Sequence, residues 1–143
     1  MSFFTSLQVT GSALAAERLR VDLASANLAN ANSTRSVEGG PYRRRDAVFQ
    51  ATPLENGFGS ELDRAVRAVT VPQIVIDQSP PREIFNPGHP DADERGIVQL
   101  PNVSVVEEIV NLRTAQRAYE ANLSALGVSR EMAQRALRIG RTA

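Results

Sequence analysis

Between Pro101 and Gly140 the sequence contains no proline, and its apolar residues recur with the period of a helix: Val105, Ile109, Leu112, Tyr119, Leu123, Leu126, Ala133 and Leu137. Written as heptads, Val105, Leu112, Tyr119, Leu126 and Ala133 hold one position, and Ile109, Gln116, Leu123, Arg130 and Leu137 hold the other. A pattern sustained over about five heptads predicts a coiled-coil seam more than an ordinary globular helix. Ser104 with Glu107 three residues later forms a capping box at the start. Gly140 suits a left-handed stop, and Arg138 in the last turn complements the negative end of the dipole. Such a helix is roughly 55 Å long, more than a compact chain of 143 residues needs. Its apolar seam calls for an equally long partner.

A second proline-free segment runs from about Thr5 to Asn32, with Thr5 and Gln8 as a weaker capping box. Leu7, Leu14, Val21 and Leu28 follow at intervals of seven, and Ala16, Leu19, Leu23 and Ala26 widen the apolar face. Gly11 and the many alanines permit close approach of a neighbouring helix, although alanine also favours helix for its own sake. Asn27, Asn30 and Asn32 can each take a capping or left-handed role at the ragged end.

All eight prolines lie from Pro41 to Pro101, between the two helical segments. The chain therefore reads as helix, β-containing or irregular middle, helix. Asp46 to Ala51 and Ala65 to Asp77 carry strand-type residues, and Pro72 makes the second run an edge strand or two short pieces. Arg82 to Phe85 and Ile97 to Leu100 form a predicted hairpin, with Pro87 and Gly88 at the centre of a type II turn. Pro53 to Ser60 has neither periodicity nor bulk and reads as a mobile loop.

Chemistry is scarce in this sequence. There is no cysteine and one histidine, which removes thiolate sites and most metal and nucleophile chemistries. Formal charge is zero, so a nucleic-acid or anionic-membrane partner has no electrostatic support. All sixteen basic residues are arginine, a choice that favours forked pairing with carboxylates and that a biased genome composition also produces. No apolar run is long enough to cross a bilayer, and Met1 to Thr5 lacks the basic start of a secretory signal.

His89, Asp91, Asp93 and Glu94, ending in Gly96, form the cluster most like a site. Its spacing resembles a calcium loop, but Arg95 and Asn102 stand where a side-chain oxygen and a bidentate glutamate are required. A loop in which Asp91 and Asp93 bond local backbone amides is the better reading. Arg43, Arg44 and Arg45 have only Tyr42 beside them and predict a solvated strand edge or an ionic contact with a protein neighbour. The triplets at Asn32, Asn102 and Asn122 imply no glycosylation without a eukaryotic secretory signal. No phosphate loop, nucleophile elbow or catalytic carboxylate pair can be assembled, so catalytic, cofactor and metal residues are all expected to be none.

The two seams can be buried against each other, against other copies, or both. About ten large apolar side chains are involved, each worth roughly 1.5 to 3 kcal/mol when buried, so leaving them wet is not viable. Gln116 and Arg130 within the seam, and Asn122 beside it, fix register and partner at some cost in stability. Identical subunits meeting head to tail build helical assemblies when the rotation does not close. The expected assembly interface is Leu7, Leu14, Val21, Asn27, Leu28, Asn30, Ile109, Leu112, Tyr119, Asn122, Leu123, Leu126 and Leu137. A self-contained helical-hairpin binding module or export chaperone is the alternative, and it requires a folded monomer with both helices stable.

Two stretches carry a resemblance. At the amino end stands Ser25-Ala26-Asn27-Leu28-Ala29-Asn30-Ala31-Asn32-Ser33-Thr34. In the centre stands Asn86-Pro87-Gly88-His89-Pro90-Asp91-Ala92-Asp93-Glu94-Arg95-Gly96, continued by Leu100-Pro101-Asn102-Val103, Asn111-Leu112 and Arg117-Ala118-Tyr119-Glu120-Ala121-Asn122. With these the chain resembles the bacterial flagellar basal-body rod proteins, within them the proximal rod proteins of the FlgC type. Asn86 and Ile97 depart from that pattern, which has an acidic and an aromatic residue there. The resemblance implies a mainly α fold: an amino-terminal axial helix (residues 1–34), a small β-containing outer domain (35–100) and a carboxyl-terminal axial coiled-coil helix (101–143). It also implies a tubular rod that passes torque from rotor to hook and crosses the periplasm. The implied partners are other copies, other rod proteins and the flagellar type III export apparatus, which removes no signal peptide. Neither nucleic acid nor direct membrane insertion is implied.

Overall fold

The computed structural model describes residues 3–36, 39–54 and 66–142. Helix α1 spans Phe3–Ala29, strands β1 and β2 span Arg45–Pro53 and Arg67–Ile76, β3 and β4 span Arg82–Phe85 and Ile97–Leu100, and helix α2 spans Val105–Thr142. The fold is thus mainly α with a small β middle, as the proline partition predicts. The strands form two two-stranded sheets, β1 with β2 and β3 with β4. In the first, the Asp77 amide donates to the Arg44 carbonyl at 2.8 Å, while the Thr70 and Thr52 hydroxyls reach the Gln50 and Ala68 carbonyls, an antiparallel order. Pro72 sits inside β2 without splitting it, since each strand of a two-stranded sheet has a free edge.

Residue contacts divide the chain into two units. One comprises Met1–Leu19, Val48–Pro72 and Ala115–Ala143; the other comprises Arg20–Ala47 and Gln73–Thr114. In the first, Ala16, Ala68 and Ala115 are buried, and the Val69 amide of β2 donates to the Ser12 hydroxyl of α1 at 3.1 Å. In the second, Ala24, Ala31, Val98, Leu100, Pro101 and Val103 form the core. The buried positions on α1 are held by Thr5, Ala16, Ala24 and Asn27, so small residues do lie inward there, whereas Gly11 has open space where a Cβ would stand.

The predicted hairpin of β3 and β4 is present, in the register that sets Arg82 opposite Leu100 and Phe85 opposite Ile97. Its turn differs from the expectation. The His89 amide closes a turn on the Asn86 carbonyl around Pro87 and Gly88, but Gly88 does not have the positive φ a type II turn needs. The left-handed residue is Gly96, at φ 74°, where the loop rejoins β4. A Cβ on Gly96 would stand 3.0 Å from both the Phe85 ring and the Pro87 Cβ. Gly96→Ala is therefore expected to destabilise the subunit by about 1 to 3 kcal/mol, read as a lower urea midpoint; an unchanged midpoint would contradict this.

Other boundaries depart from the sequence reading for identifiable reasons. Thr5 is buried within α1 and so is not its cap. No described non-glycine residue is left-handed, and α1 instead ends with the Asn30 amide and side chain both donating to the Ala26 carbonyl. Gly140 lies inside α2 without a positive φ, because the helix runs on to Thr142. Ser104 does cap α2: its hydroxyl accepts from the Glu107 amide at 3.5 Å, and its carbonyl accepts from Glu108 at 3.0 Å. From Glu55 on, the expected mobile loop lies outside the described residues.

Candidate assembly interface

The fold exposes the two heptad positions of α2 unequally. Glu108, Leu112, Ala115, Tyr119, Asn122, Leu126, Ser129 and Ala133 alternate at spacings of four and three, and every one is buried or half-buried. One expected seam position, that of Leu112, Tyr119 and Leu126, lies on this covered face. The other does not, since Ile109, Leu123 and Leu137 are 45, 51 and 71% exposed. Val106, Val110, Val128, Met132 and Ile139 are more than half exposed besides. On α1, Leu14, Val21 and Leu28 are half-buried, and Leu7 is exposed.

Asn27 and Asn30 behave differently from these apolar positions. Asn27 is 1% exposed, and all four of its hydrogen-bonding valences are used within its own chain. Its Oδ1 accepts from the Arg45 amide at 3.0 Å and the Tyr42 hydroxyl at 2.9 Å. Its Nδ2 donates to the Arg45 carbonyl at 2.8 Å and to Glu108 Oε2 at 3.1 Å. The side-chain amide thus reads the main chain of Arg45 as a neighbouring strand would. Asn30 Oδ1 accepts from the Ser33 hydroxyl, completing the local turn.

Glu108, also 1% exposed, is the charge at the centre of this network. Its Oε1 accepts from Arg44 Nε at 2.7 Å, and Arg44 also pairs with Asp46 at 3.1 Å. Burial alone would lower the Arg44 guanidinium, but the bonds and charges of Glu108 and Asp46 outweigh it and hold the group above its usual value. The arginine triplet is therefore not one solvated edge. Arg44 points to an internal carboxylate, Arg43 donates to the neutral Gln78 at 2.7 Å, and Arg45 lies over the Tyr42 ring. Asn102 Oδ1 accepts from the Arg44 amide at 3.0 Å, while its buried Nδ2 has no partner among the described residues.

Burial pushes the Tyr42 phenol up, Arg45 pulls it down and Glu108 pushes it up again, for a net rise above 10.0. The neutral phenol donates to Asn27, so its contribution is fully present below about 10 and is lost as pH rises through the higher folded value. In a Tyr119→Phe background Tyr42 is the only tyrosine. There, tyrosinate absorbance is expected to rise at higher pH in the folded chain than in urea; coincident curves would contradict this.

The acidic loop is structural, by a different route for each aspartate. Asp93 Oδ1 accepts from the Arg95 and Ile97 amides at 2.9 and 2.8 Å, as expected. Asp91 instead reaches back to the residues after α1, accepting from the Thr34 hydroxyl at 2.7 Å and pairing with Arg35. The Thr34 hydroxyl above all, with Arg35 and His89 behind it, holds the Asp91 carboxyl below the usual carboxylate range. This tie therefore persists through mild acid and is lost only as pH falls through that lower value. The Asp91 amide donates to His89 Nδ1 at 3.1 Å.

Among the described residues no group of three histidines, aspartates or glutamates could hold a metal ion, and no helix is long and apolar enough to cross a membrane. Cavities of about 300 and 350 Å³ flank Gly39–Arg43. Their described walls mix arginine, amide and hydroxyl groups with Pro41, Ile76 and Pro81, and include no carboxylate or histidine to act as a general base beside a hydroxyl.

Two family descriptions match the chain: "Flagella basal body rod protein" over residues 7–35 and "Flagellar basal body rod FlgEFG protein C-terminal" over residues 94–139. Among its relatives, the flagellar basal-body rod protein FlgC of Borreliella burgdorferi is 38% identical, over 97% of this chain and 98% of that protein. FlgC of Salmonella typhimurium is 36% identical over 98% and 99%, and FlgC of Bacillus subtilis is 38% identical over 99% and 100%.

Proposed function

Because the chain belongs to the flagellar basal-body rod proteins, we propose that α1 and α2 form the wall of the rod and that the β middle is carried outside it. The chain is a structural subunit of the bacterial flagellar basal body, not an enzyme, and it assembles with other rod components.

In the finer reading, residues 1–34 and 101–143 are the axial segments and 35–100 the outer domain. The subunit contacts further copies of itself as well as other rod proteins, in a helical tube that crosses the periplasm and transmits torque. It leaves the cell through the flagellar export apparatus without a cleaved signal. The observation that carries this reading is the set of exposed apolar side chains, Ile109, Leu123 and Leu137 with Val106, Val110, Val128, Met132 and Ile139, on a 38-residue helix. Burying each such leucine or isoleucine is worth roughly 1.5 to 3 kcal/mol, which neighbouring subunits would supply. A self-contained hairpin module has no use for so many apolar side chains facing water along one helix.

Deleting residues 1–32 is expected to abolish incorporation into purified basal bodies. Normal rods from such a strain would contradict the axial role of α1.

A further inference from the structure

We propose that Asn27, Arg44 and Glu108 are positioning residues that set the register in which β1 leaves the helix ends, and that this buried ion pair serves uniqueness more than stability. A strand's register is ordinarily fixed by the face it buries, because a slip of one residue turns that face outward. β1 lacks such a face: from Arg45 to Pro53 no residue is buried, and Ala47 and Thr52 alone are half-buried. β2 buries only Ala68. Hydrophobic patterning therefore cannot choose where β1 starts.

The polar contacts can. Glu108, enclosed at the first turns of α2, accepts a cation and rejects Asp46 or Ala47 in that place. The run Arg43–Arg45 offers three cations, so charge alone would leave neighbouring registers alike. Asn27 removes that ambiguity by holding the Arg45 main chain with both its carbonyl and its amide, while Tyr42 reaches it from the other side. The Asp77 amide then meets the Arg44 carbonyl, which carries the choice into β2. Buried ion pairs often add no net stability over neutral isosteres, since desolvation offsets their attraction. A role in selecting one seating accounts for enclosing a carboxylate here.

The test is the full-length double variant Arg44→Met/Glu108→Gln, which removes both charges and leaves the glutamine carbonyl to accept from Asn27. Three readouts are compared with the parent: thermal melting, the ring resonances of Tyr42, and incorporation into basal bodies. The melt is expected to stay within a few degrees of the parent, while Tyr42 divides into more than one set of signals and incorporation is lost. A single parental set with normal incorporation would overturn the proposal. So would a melt far below the parent, which would make the pair a stability element. The Tyr42 readout concerns the unassembled chain, so it stands or falls independently of the rod reading.

Discussion

Glu108→Ala is expected to cost the unassembled subunit about 3 kcal/mol, because it leaves Arg44 facing an enclosed site without its carboxylate and strips Asn27 Nδ2 of one acceptor. Arg44 keeps Asp46, a half-exposed partner, which limits the loss. Against a total stability of about 5 to 15 kcal/mol, such a change is large. The natural control is Glu131→Ala, which removes an exposed pair one helical turn apart, Glu131 with Arg135 at 2.6 Å. That pair is worth about 0.3 to 0.5 kcal/mol. Urea unfolding of both variants separates the cases: a clear fall in midpoint for Glu108→Ala beside almost none for Glu131→Ala is the expected pattern. Equal small shifts would mean that removing the carboxylate does not strand Arg44 and Asn27 in an enclosed site.

Leu123→Asp is expected to have a different signature, abolishing incorporation into the rod while lowering the stability of the free subunit by only about 1 kcal/mol. Leu123 is half exposed before assembly, so an aspartate there keeps its solvation and the loss is confined to partial burial and helix propensity. In a seam closed by a neighbour, the same carboxylate would be buried without a partner, a cost of several kcal/mol that apolar burial cannot recover. Leu126→Asp differs because Leu126 is already half-buried in the free chain. It should lower both stability and incorporation. Basal bodies purified from strains carrying each variant distinguish the two faces, and wild-type incorporation of Leu123→Asp would show that the exposed face is not an interface.

The parts of the structure legible in the sequence are those with local causes. Proline placement separated helices from the middle, and the strand runs on either side of Pro87 marked the two strands of the hairpin. Ser104 and Glu107 marked the first turn of α2. The turn was misassigned because Pro87-Gly88 looks locally like a type II turn, whereas the left-handed residue is Gly96, where Phe85 and Pro87 also leave no room for a Cβ. The polar network was not legible, since Asn27, Tyr42, Arg44 and Glu108 are brought together only by the fold and share no period. One signal was available. Glu108 lies on the same helical face as Leu112 and Ala115, where a charge must have a partner. Choosing Ile109 instead of Glu108 as the companion of Leu112 gave a regular heptad whose two positions fall on different faces, one that the chain covers for itself and one that it leaves open.

The most direct test is amide exchange on the dilute subunit and on intact basal bodies. In the free chain, Val98–Leu100 and the residues around Asn27 and Glu108 should exchange slowly, while Leu123–Ile139 exchange quickly, and assembly should slow the latter alone. Strong protection of Leu123–Ile139 in the isolated subunit, unchanged by dilution or by the rod, would contradict a helix that neighbours complete.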